Sequence, residues 1–211
     1  MMATTHAFVG AALASVTLLF APGTAPAAMA AGFVGGIVPD LDVFFDHRRT
    51  LHFPVLGPAF AGVLVVVAAF VPTTVTVTLA AFVVSAAAHS VMDYFGGSKE
   101  ARPWLRTTDH AVYDHARGRW LLARRWISYD GSPGDFVLGA VASVPVLALG
   151  DRRLRIATLA GLLIALVYTV FRKRIFDVWD EYVTRLPAPI LAIIPRENPG
   201  SLGPDDSERD R

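Results

Sequence analysis

Histidine and aspartate side chains are the residues of this sequence best suited to chemistry. The chain has 211 residues with six histidines and no cysteine, so a metal site in it must use imidazole and carboxylate ligands. Imidazole with carboxylate and without thiolate suits Zn, Mn or Fe and does not choose among them. We predict a divalent metal site, with zinc as the first expectation, built from a set of residues near the ends of apolar stretches: His6, Asp40, Asp42, His47, His52, His89 and Asp93.

The spacing of these residues indicates different roles. His89 and Asp93 are four positions apart, which places them on one face of a helix where they can share a metal ion. Asp40 and Asp42 follow a proline at a helix exit, and in an extended turn their carboxylates diverge, so that one can bind metal while the other orients a histidine. The predicted ligands are His52, His89 and Asp93, then Asp40 and His6, with Asp42 or His47 as the base or as an orienting group.

Each residue also has an interpretation without chemistry. His6 is then an ordinary interfacial side chain, Asp40 and Asp42 end a helix, and residues 47–52 form a surface charge patch. His89 fits this alternative least, because it lies inside a stretch without charged residues, where ionisable groups are functional by default.

Charged residues are segregated along the chain. Hydrophobic residues make up 54% of it and charged residues 18%, against about 25% charged in typical soluble domains. No Asp, Glu, Lys or Arg occurs in residues 1–39, 53–92, 136–150 or 156–171. A bilayer requires such stretches, because a charge at its centre costs about 2.5–3.5 kcal/mol. The sequence therefore predicts an all-α, polytopic membrane protein.

Turn signals divide the apolar stretches into three hairpins. They are residues 7–38 broken at 22–26, residues 54–92 broken at 71–74, and residues 136–171 broken at 151–153. The arms of the first hairpin have about 15 residues, or roughly 22 Å of helix, against a bilayer core of roughly 30 Å. This pair is therefore either a thin spanning hairpin or a re-entrant one. In both cases an even number of crossings separates the polar groups named above, and we expect all of them at one membrane face.

The remaining segments are predicted to lie outside the membrane core. Within the polar segment of residues 93–135, residues 119–129 are predicted to form an amphipathic helix, either interfacial or an ordinary surface helix. Residues 109–115 are a second polar cluster, interpreted as a solvated loop or surface helix or, alternatively, as a contact for a substrate head group. Residues 175–186 are expected as a surface helix. Residues 196–211 are expected as a disordered tail after a single membrane domain of residues 1–195.

The distribution of positive charge predicts the orientation in the membrane. With both chain ends on one side, sixteen of the nineteen Lys and Arg residues fall on that side, and only Arg152, Arg153 and Arg155 fall on the other. Because positive charge collects on the cytoplasmic side, we expect both termini and the His/Asp face to be cytoplasmic, in a plasma or inner membrane. The net charge of +1 gives no sign of a nucleic-acid partner.

The order of the motifs resembles that of a known family. His6 followed by Gly10, the segment Pro39-Asp40-Leu41-Asp42, the segment from His47 to His52, and His89 with Asp93 are similar to the pattern of membrane-bound, metal-dependent hydrolases. Some bacterial members of that family carry the label LexA-binding, inner-membrane-associated. The resemblance covers residues 1 to about 100 and implies a bound metal and a hydrolytic activity. The sequence departs from the pattern where the family has Gly, Thr and Ser, since it has Arg49, Leu51 and Phe53; a hydroxyl at this segment would have to come from Thr50.

The sequence thus leads to the hypothesis of a membrane-embedded, metal-dependent hydrolase of an ester or phosphoester. A site at bilayer depth indicates a lipid or lipid-linked substrate. A metal-ion or small-solute transporter would use the same ligands but needs access from both faces. A non-catalytic membrane regulator would bind a cytoplasmic protein and needs no metal. Metal content separates the first two functions from the third, and one-sided access separates the hydrolase from the transporter.

Overall fold

The computed structural model describes residues 1–183 and is mostly helical. Within these residues the α-helices are α1 (Ala3–Ala14), α2 (Ala25–Gly35), α3 (Leu56–Phe70), α4 (Thr74–Phe95), α5 (Pro133–Leu149) and α6 (Arg152–Val183). Short 3₁₀ helices occupy Ser15–Leu19, Pro22–Thr24 and Val38–Phe44. Two strands, β1 (His110–Asp114) and β2 (Arg119–Leu122), pair as an antiparallel hairpin. The predicted helical class is confirmed with this hairpin as an addition, and the predicted tail of residues 196–211 lies outside the described residues.

Long apolar helices characterise the described part of the chain. Three stretches in it are long and apolar enough to cross a membrane: Pro22–Phe44, Thr74–Phe95 and Arg152–Val178. Three shorter apolar helices accompany them: Ala3–Leu19, Leu56–Phe70 and Pro133–Leu149. Large apolar side chains of α3 and α6 lie on the surface, including Val63 and Leu163, which are 58% and 63% exposed. Soluble proteins rarely expose large contiguous apolar surfaces to water, whereas lipid tails cover such surfaces in a bilayer. The exposed apolar side chains and the long apolar helices therefore fit a membrane protein.

Polar caps lie where the sequence predicted breaks in the apolar stretches. The side chain of Thr73 accepts a hydrogen bond from the backbone amide of Thr76 at the start of α4. Asp151 does the same for the amide of Leu154 at the start of α6. Prolines occupy the first turns of the 3₁₀ helix Pro22–Thr24 and of α2. The predicted breaks at residues 22–26, 71–74 and 151–153 are therefore helix boundaries in the structure.

Small residues allow α1, α2 and α4 to approach closely. A Cβ atom added to Gly10 would overlap the carbonyl oxygen of Gly32, and one added to Gly32 would overlap the carbonyl oxygen of Gly10. Ser85 of α4 donates its hydroxyl to the same Gly32 carbonyl at 2.6 Å. Helices associate in this way in lipid, where packing and interhelical hydrogen bonds replace the hydrophobic effect. The start of α1 and the ends of α2 and α4 are thereby held together at one end of the bundle.

The predicted amphipathic helix over residues 119–129 is wrong, because this segment begins with strand β2. Gly118 adopts a left-handed backbone with φ of +66°, and its amide donates to the carbonyl of Asp114, which closes a tight turn between the strands. Arg125, with φ of +53°, bends the chain again beyond β2. Trp120 and Leu121 lie in strand β2, and Trp126 and Ile127 follow in the irregular chain beyond it, so this mixture of apolar residues and Arg does not form a helix. The helical alternative for residues 109–115 is wrong for the same reason, since residues 110–114 are strand β1.

The predicted end of the third hairpin at residues 172–174 is also wrong, because α6 continues through them to Val183. The guanidinium of Arg172 is buried, and its Nη2 donates to the carboxylate of Asp130 and to the carbonyl of Ala101, both at 3.0 Å. It also lies 4.1 Å from the ring centroid of Phe176. The polar segment between α4 and α5 therefore supplies the partners that let a charged residue continue the helix.

Candidate metal centre

Four candidate ligands from three parts of the chain converge at one end of the bundle. Asp40 comes from the 3₁₀ helix Val38–Phe44, His52 from the segment before α3, and His89 and Asp93 from the last turns of α4. One ligand atom from each lies within 4.8 Å of all the others. These atoms are Oδ1 of Asp40, Nε2 of His52, Nε2 of His89 and Oδ2 of Asp93.

The distances within this cluster are close to those of a metal site. Nε2 of His52 lies 3.2 Å from both Nε2 of His89 and Oδ2 of Asp93. Nε2 of His89 lies 3.3 Å from Oδ1 of Asp40 and 3.5 Å from Oδ2 of Asp93. Ligand bonds of about 2.0–2.2 Å in a tetrahedron separate the ligand atoms by roughly 3.3–3.6 Å. These four distances have that size, whereas Oδ1 of Asp40 lies 4.0 Å from Nε2 of His52, so the cluster is wider on the Asp40 side.

The hydrogen bonds of His52 and His89 determine which ring nitrogens carry hydrogen and which direct a lone pair into the cluster. Nδ1 of His52 lies 2.8 Å from a carboxylate oxygen of Asp42, and Nδ1 of His89 lies 2.7 Å from the carbonyl oxygen of Gly36. An ionised carboxylate and a carbonyl only accept hydrogen bonds, so both Nδ1 atoms carry hydrogen. In the neutral rings both Nε2 atoms are then bare, and they point at each other and at two carboxylates. Such a set repels itself unless positive charge lies between its members, and a metal cation bound by all four atoms would supply that charge.

Asp42 orients two histidines from a fully buried position. One of its oxygens accepts from Nδ1 of His52 and from the amide of Leu51 at 3.2 Å, and the other accepts from Nδ1 of His47 at 2.9 Å. Both oxygens are occupied, so this carboxylate is placed to fix the tautomer and the ring direction of its partners. Of the two roles considered for Asp42, the geometry fits the orienting one.

His6 lies beside the ligands and contacts the outer oxygen of Asp93. Its Nε2 is 3.1 Å from Oδ1 of Asp93, and its ring stacks on His89 with the centroids 3.6 Å apart. Oδ1 also accepts from the amino group of Met1 at 2.6 Å. Asp93 therefore uses one oxygen for these contacts and directs the other into the cluster. The sequence predicted His6 among the ligands. In the structure His6 instead lies behind the ligand Asp93.

His47 lies at the accessible edge of the centre. Its side chain is 32% exposed, and its ring centroid is 5.9 Å from that of His52. Because Asp42 accepts from its Nδ1, its Nε2 is the nitrogen with the free lone pair, and it has no hydrogen-bond partner within residues 1–183. An imidazole held in this way by a carboxylate can accept a proton from a molecule at the edge of the site.

Arg48 and Ser90 belong to the centre although the sequence did not indicate a site role for either. The guanidinium of Arg48 is buried, with its Nε 3.4 Å from Oδ2 of Asp93. The hydroxyl of Ser90 accepts from the amide of Phe53 at 3.1 Å and so fixes the segment that carries His52 against α4. In the sequence, only the position of Arg48 between His47 and His52 indicated a role for it. Ser90 lies inside an apolar helix, and nothing in the sequence indicated a role for it.

The second polar cluster, residues 109–115, stabilises the β-hairpin. The ring of His110 stacks on Trp120 with the centroids 5.3 Å apart. Burial alone would raise the pKa of Asp114, but hydrogen bonds from the Arg117 side chain and from the Ala116 and Arg117 amides outweigh it and hold that pKa below its usual range. The hairpin also covers the centre, since the amide of Tyr113 donates to the carbonyl of Arg48 at 3.0 Å.

Within residues 1–183, Asp40 is the ligand of the cluster that solvent reaches. The side chain of Asp40 is 24% exposed, whereas those of His52, His89 and Asp93 are at most 1% exposed. The residues beside Asp40 on the same 3₁₀ segment are apolar and exposed, with Leu41 at 49%, Phe44 at 71% and Phe45 at 77%. A molecule that reaches the centre therefore passes an apolar rim on its way to the carboxylate of Asp40.

No protein-family profile, no curated protein and no solved structure matches this chain.

Proposed function

We propose that this protein is a membrane-embedded, metal-dependent hydrolase of an ester or phosphoester, as the resemblance of its motif order implies. The observation that carries the proposal is the convergence of two imidazole nitrogens and two carboxylate oxygens within 4.8 Å of one another. Zinc is the first expectation for the ion, because it takes nitrogen and oxygen ligands and can add a fifth ligand, for which the wider Asp40 side has room. When bound, such an ion supplies Lewis-acid polarisation and lowers the pKa of an adjacent water to about 7.

The residues of the centre divide into those that hold the metal and those that hold the ligands. Asp40, His52, His89 and Asp93 are the proposed ligands. Asp42 and the carbonyl of Gly36 keep the two imidazoles in the tautomer that leaves Nε2 free for a cation. The exposed side of Asp40 is the direction from which water and substrate enter.

His47 is the proposed acid and base. In hydrolysis the oxygen of water bonds to the carbonyl carbon or phosphorus, the ester bond to the alcohol breaks, and a proton moves from water to the departing alcohol. The free Nε2 of His47 can take that proton and return it, while Asp42 stabilises the charged imidazolium in between. The side chain of His47 is 32% exposed, which supports a role in contact with substrate and water.

The proposed topology has six crossings in three hairpins, with both termini cytoplasmic. Its support is that the polar contacts of several helices lie at one end of the bundle. The start of α5 joins the start of α1 through Asp135, which accepts from the amide of Met2 at 2.7 Å. Sixteen of the nineteen Lys and Arg residues belong to the segments at this end or to the chain beyond it.

A lipid or lipid-linked substrate follows from the apolar rim beside Asp40. Phe44 and Phe45 lie next to the only exposed ligand, and aromatic side chains are suited to the boundary between head groups and acyl chains. An amphiphile lying in the membrane could rest its acyl chain on this rim while its head group reaches the centre.

Transport is the less favoured alternative because the candidate ligands lie together at one end. Transporter sites usually lie near the bilayer midplane between repeats, where both faces can gain access. A single opening at Asp40 instead provides the one-sided access that a hydrolase needs.

Metal analysis and hydrolysis assays together test the proposal. We expect purified wild-type protein to retain about one divalent ion per chain and His89→Ala to lose it, because one of four ligands is gone. A matched control, His110→Ala, removes an imidazole that stacks on Trp120 in the hairpin and should keep the ion. Phospholipids and soluble esters and phosphoesters would be offered to each variant, with and without chelator.

Hydrolysis that chelator and His89→Ala abolish, and His110→Ala retains, supports the proposal. A protein that binds no metal in any preparation would contradict it and favour a regulator. A metal-replete protein that cleaves no substrate in the panel but carries metal into vesicles would favour a transporter.

A further inference from the structure

We propose that Arg48 is the anion-binding residue of this centre and that the substrate is consequently a phosphoester. The inference rests on the proposed metal-dependent hydrolase and deepens it, because the metal ligands alone do not distinguish a neutral carboxylic ester from an anionic phosphoester.

The guanidinium of Arg48 lies against the ligand cluster. Its Nε is 3.4 Å from Oδ2 of Asp93, the same oxygen that lies 3.2 Å from Nε2 of His52. The side chain of Arg48 is only 6% exposed. A substrate atom that reached the centre of the cluster would therefore lie beside a cation that water screens poorly.

The backbone around Arg48 is held in an unusual conformation that keeps the guanidinium in this place. Arg48 has a left-handed φ of +61°, a conformation that is unfavourable for a residue with a side chain. Nη1 donates to the carbonyl of Gly97 at 2.7 Å, and the carbonyl of Arg48 accepts from the amide of Tyr113. Strained residues persist where the surrounding structure fixes them, and they are frequent at functional sites.

Part of the guanidinium has no hydrogen-bond acceptor within residues 1–183. The buried Nε contacts Asp93 without forming a hydrogen bond, and within residues 1–183 the hydrogen bonds of the guanidinium come from Nη1. Nε and Nη2 together present hydrogens along one edge of the guanidinium, which is the fork that binds two oxygens of a phosphate group. A buried charged donor without an acceptor is costly, so this edge is suited to a ligand that supplies one.

The charge balance of the centre also favours an anionic substrate. The carboxylates of Asp40, Asp42 and Asp93 carry three negative charges, whereas a divalent ion, Arg48 and the amino group of Met1 on Asp93 carry four positive ones. The metal-loaded centre is therefore positive with Arg48 and neutral without it. That positive charge attracts a phosphate group and gives no advantage to a neutral carboxylic ester.

Binding of inorganic phosphate to the full-length protein tests the inference without relying on turnover. Wild-type protein, Arg48→Met, Arg48→Lys and the neighbouring control Arg49→Met would be loaded with zinc, and their metal content measured first. Arg49 is exposed and pairs with Asp46, so its loss should leave the centre unchanged. Calorimetry would then measure phosphate affinity, with acetate as the competing anion.

We expect zinc-loaded wild type and Arg49→Met to bind phosphate alike and to prefer it to acetate. Arg48→Met should retain zinc and lose about tenfold or more in phosphate affinity, the loss expected for a charged hydrogen bond. Arg48→Lys, which keeps the charge and loses the fork, should also bind phosphate more weakly than wild type. Glycerol phosphate in solution and phosphatidic acid in nanodiscs extend the comparison, and tighter binding of the second would assign the phosphate to a lipid.

The inference is overturned if zinc-loaded wild type binds no phosphate at millimolar concentration, or if zinc-loaded Arg48→Met binds it like wild type. Should the Met and Lys variants fail to fold, the wild-type preference between phosphate and acetate decides, and equal binding of the two overturns the inference. Absence of zinc from the wild type would instead contradict the proposed metal centre itself, so the two failures are distinguishable.

Discussion

At the scale of single residues, the two oxygens of Asp93 and the two nitrogens of each ligand histidine are used differently. In every case one atom faces the cluster and the other contacts a supporting group: His6 for Asp93, Asp42 for His52 and the Gly36 carbonyl for His89. Supporting contacts of this kind fix the direction and the basicity of metal ligands. Three of the four proposed ligands therefore have a supporting contact, which is not expected of an accidental cluster of polar side chains.

Replacing Asp42 with Asn should weaken metal binding although Asp42 is not a proposed ligand. An Asn side chain has one accepting oxygen, whereas Asp42 accepts from the Nδ1 atoms of both His47 and His52. The amide group would face one of these nitrogens as a second donor and drive that ring to the tautomer with hydrogen on Nε2. We expect zinc affinity, measured by competition with a chelator, to fall by about 10–100-fold.

Asp46→Asn is the matched control for this substitution. Asp46 is exposed and pairs with Arg49, an interaction of the surface type that contributes little. Equal zinc affinity in Asp42→Asn and Asp46→Asn would show that Asp42 has no orienting role.

Residue types and spacing predicted much of this centre but not its supporting contacts. Positions at helix ends imply a common face for four predicted ligands, and the structure brings these four together: Asp40, His52, His89 and Asp93. The position of His6 behind Asp93 depends on the depth at which α1 packs, which spacing does not encode. The buried guanidinium of Arg48 was equally hidden, because a sequence does not show which of two adjacent arginines turns inward.

At the scale of elements, close packing of α1 against α2 and α4 sets the geometry of the centre. The Gly10–Gly32 contact determines how near His6 and the end of α2 come to α4. Interhelical distance in lipid depends on the size of the residues at the crossing point. A larger residue there should therefore move ligands apart even though it lies remote from them in sequence.

Gly32→Leu should destabilise the bundle and lower its metal content together. Its new side chain would overlap the backbone of Gly10 and the Cβ of Ala14, and overpacking of this kind costs about 1–3 kcal/mol. The control is Gly62→Leu in α3, where a Cβ meets nothing within 4 Å. Thermal unfolding in detergent and elemental analysis would check both variants, and equal midpoints and equal metal contents would contradict this role for the glycine contact.

The correctly predicted elements depend on neighbouring residues, whereas the wrongly predicted ones depend on residues distant in sequence. Apolar stretches and their breaks are local properties, so the caps at Thr73 and Asp151 follow from neighbouring residues. The continuation of α6 through Arg172 depends on Asp130, which is distant in sequence and supplies the partner that keeps this charge inside the bundle. The strand at residues 119–122 likewise requires its partner strand, since hydrogen bonds between strands are not encoded in either strand alone.

At the scale of the whole molecule, the proposed function depends on which side of the membrane each connection reaches. The centre combines groups from the start of α1, the end of α2, the segment before α3 and the end of α4. All of these can meet only if α1 to α4 return to the same face, as two hairpins do. In the proposed topology that face is the cytoplasmic one, because the neighbouring segments carry most of the positive charge.

Single cysteines provide a direct test of this topology, because the chain contains none of its own. Asp46→Cys and Arg106→Cys would place thiols on the proposed cytoplasmic side, and Gly23→Cys and Pro72→Cys on the opposite side; all four positions are exposed. We expect a membrane-impermeant maleimide added to intact cells to label the second pair, and to label the first pair only after permeabilisation.

Opposite behaviour of Asp46→Cys and Arg106→Cys would contradict both the two hairpins and the shared centre. If Gly23→Cys alone behaved like the cytoplasmic pair, the first hairpin would be re-entrant, and its short arms would explain why. The centre would survive that outcome, because a re-entrant hairpin still returns His6 and Asp40 to the face where His52, His89 and Asp93 lie.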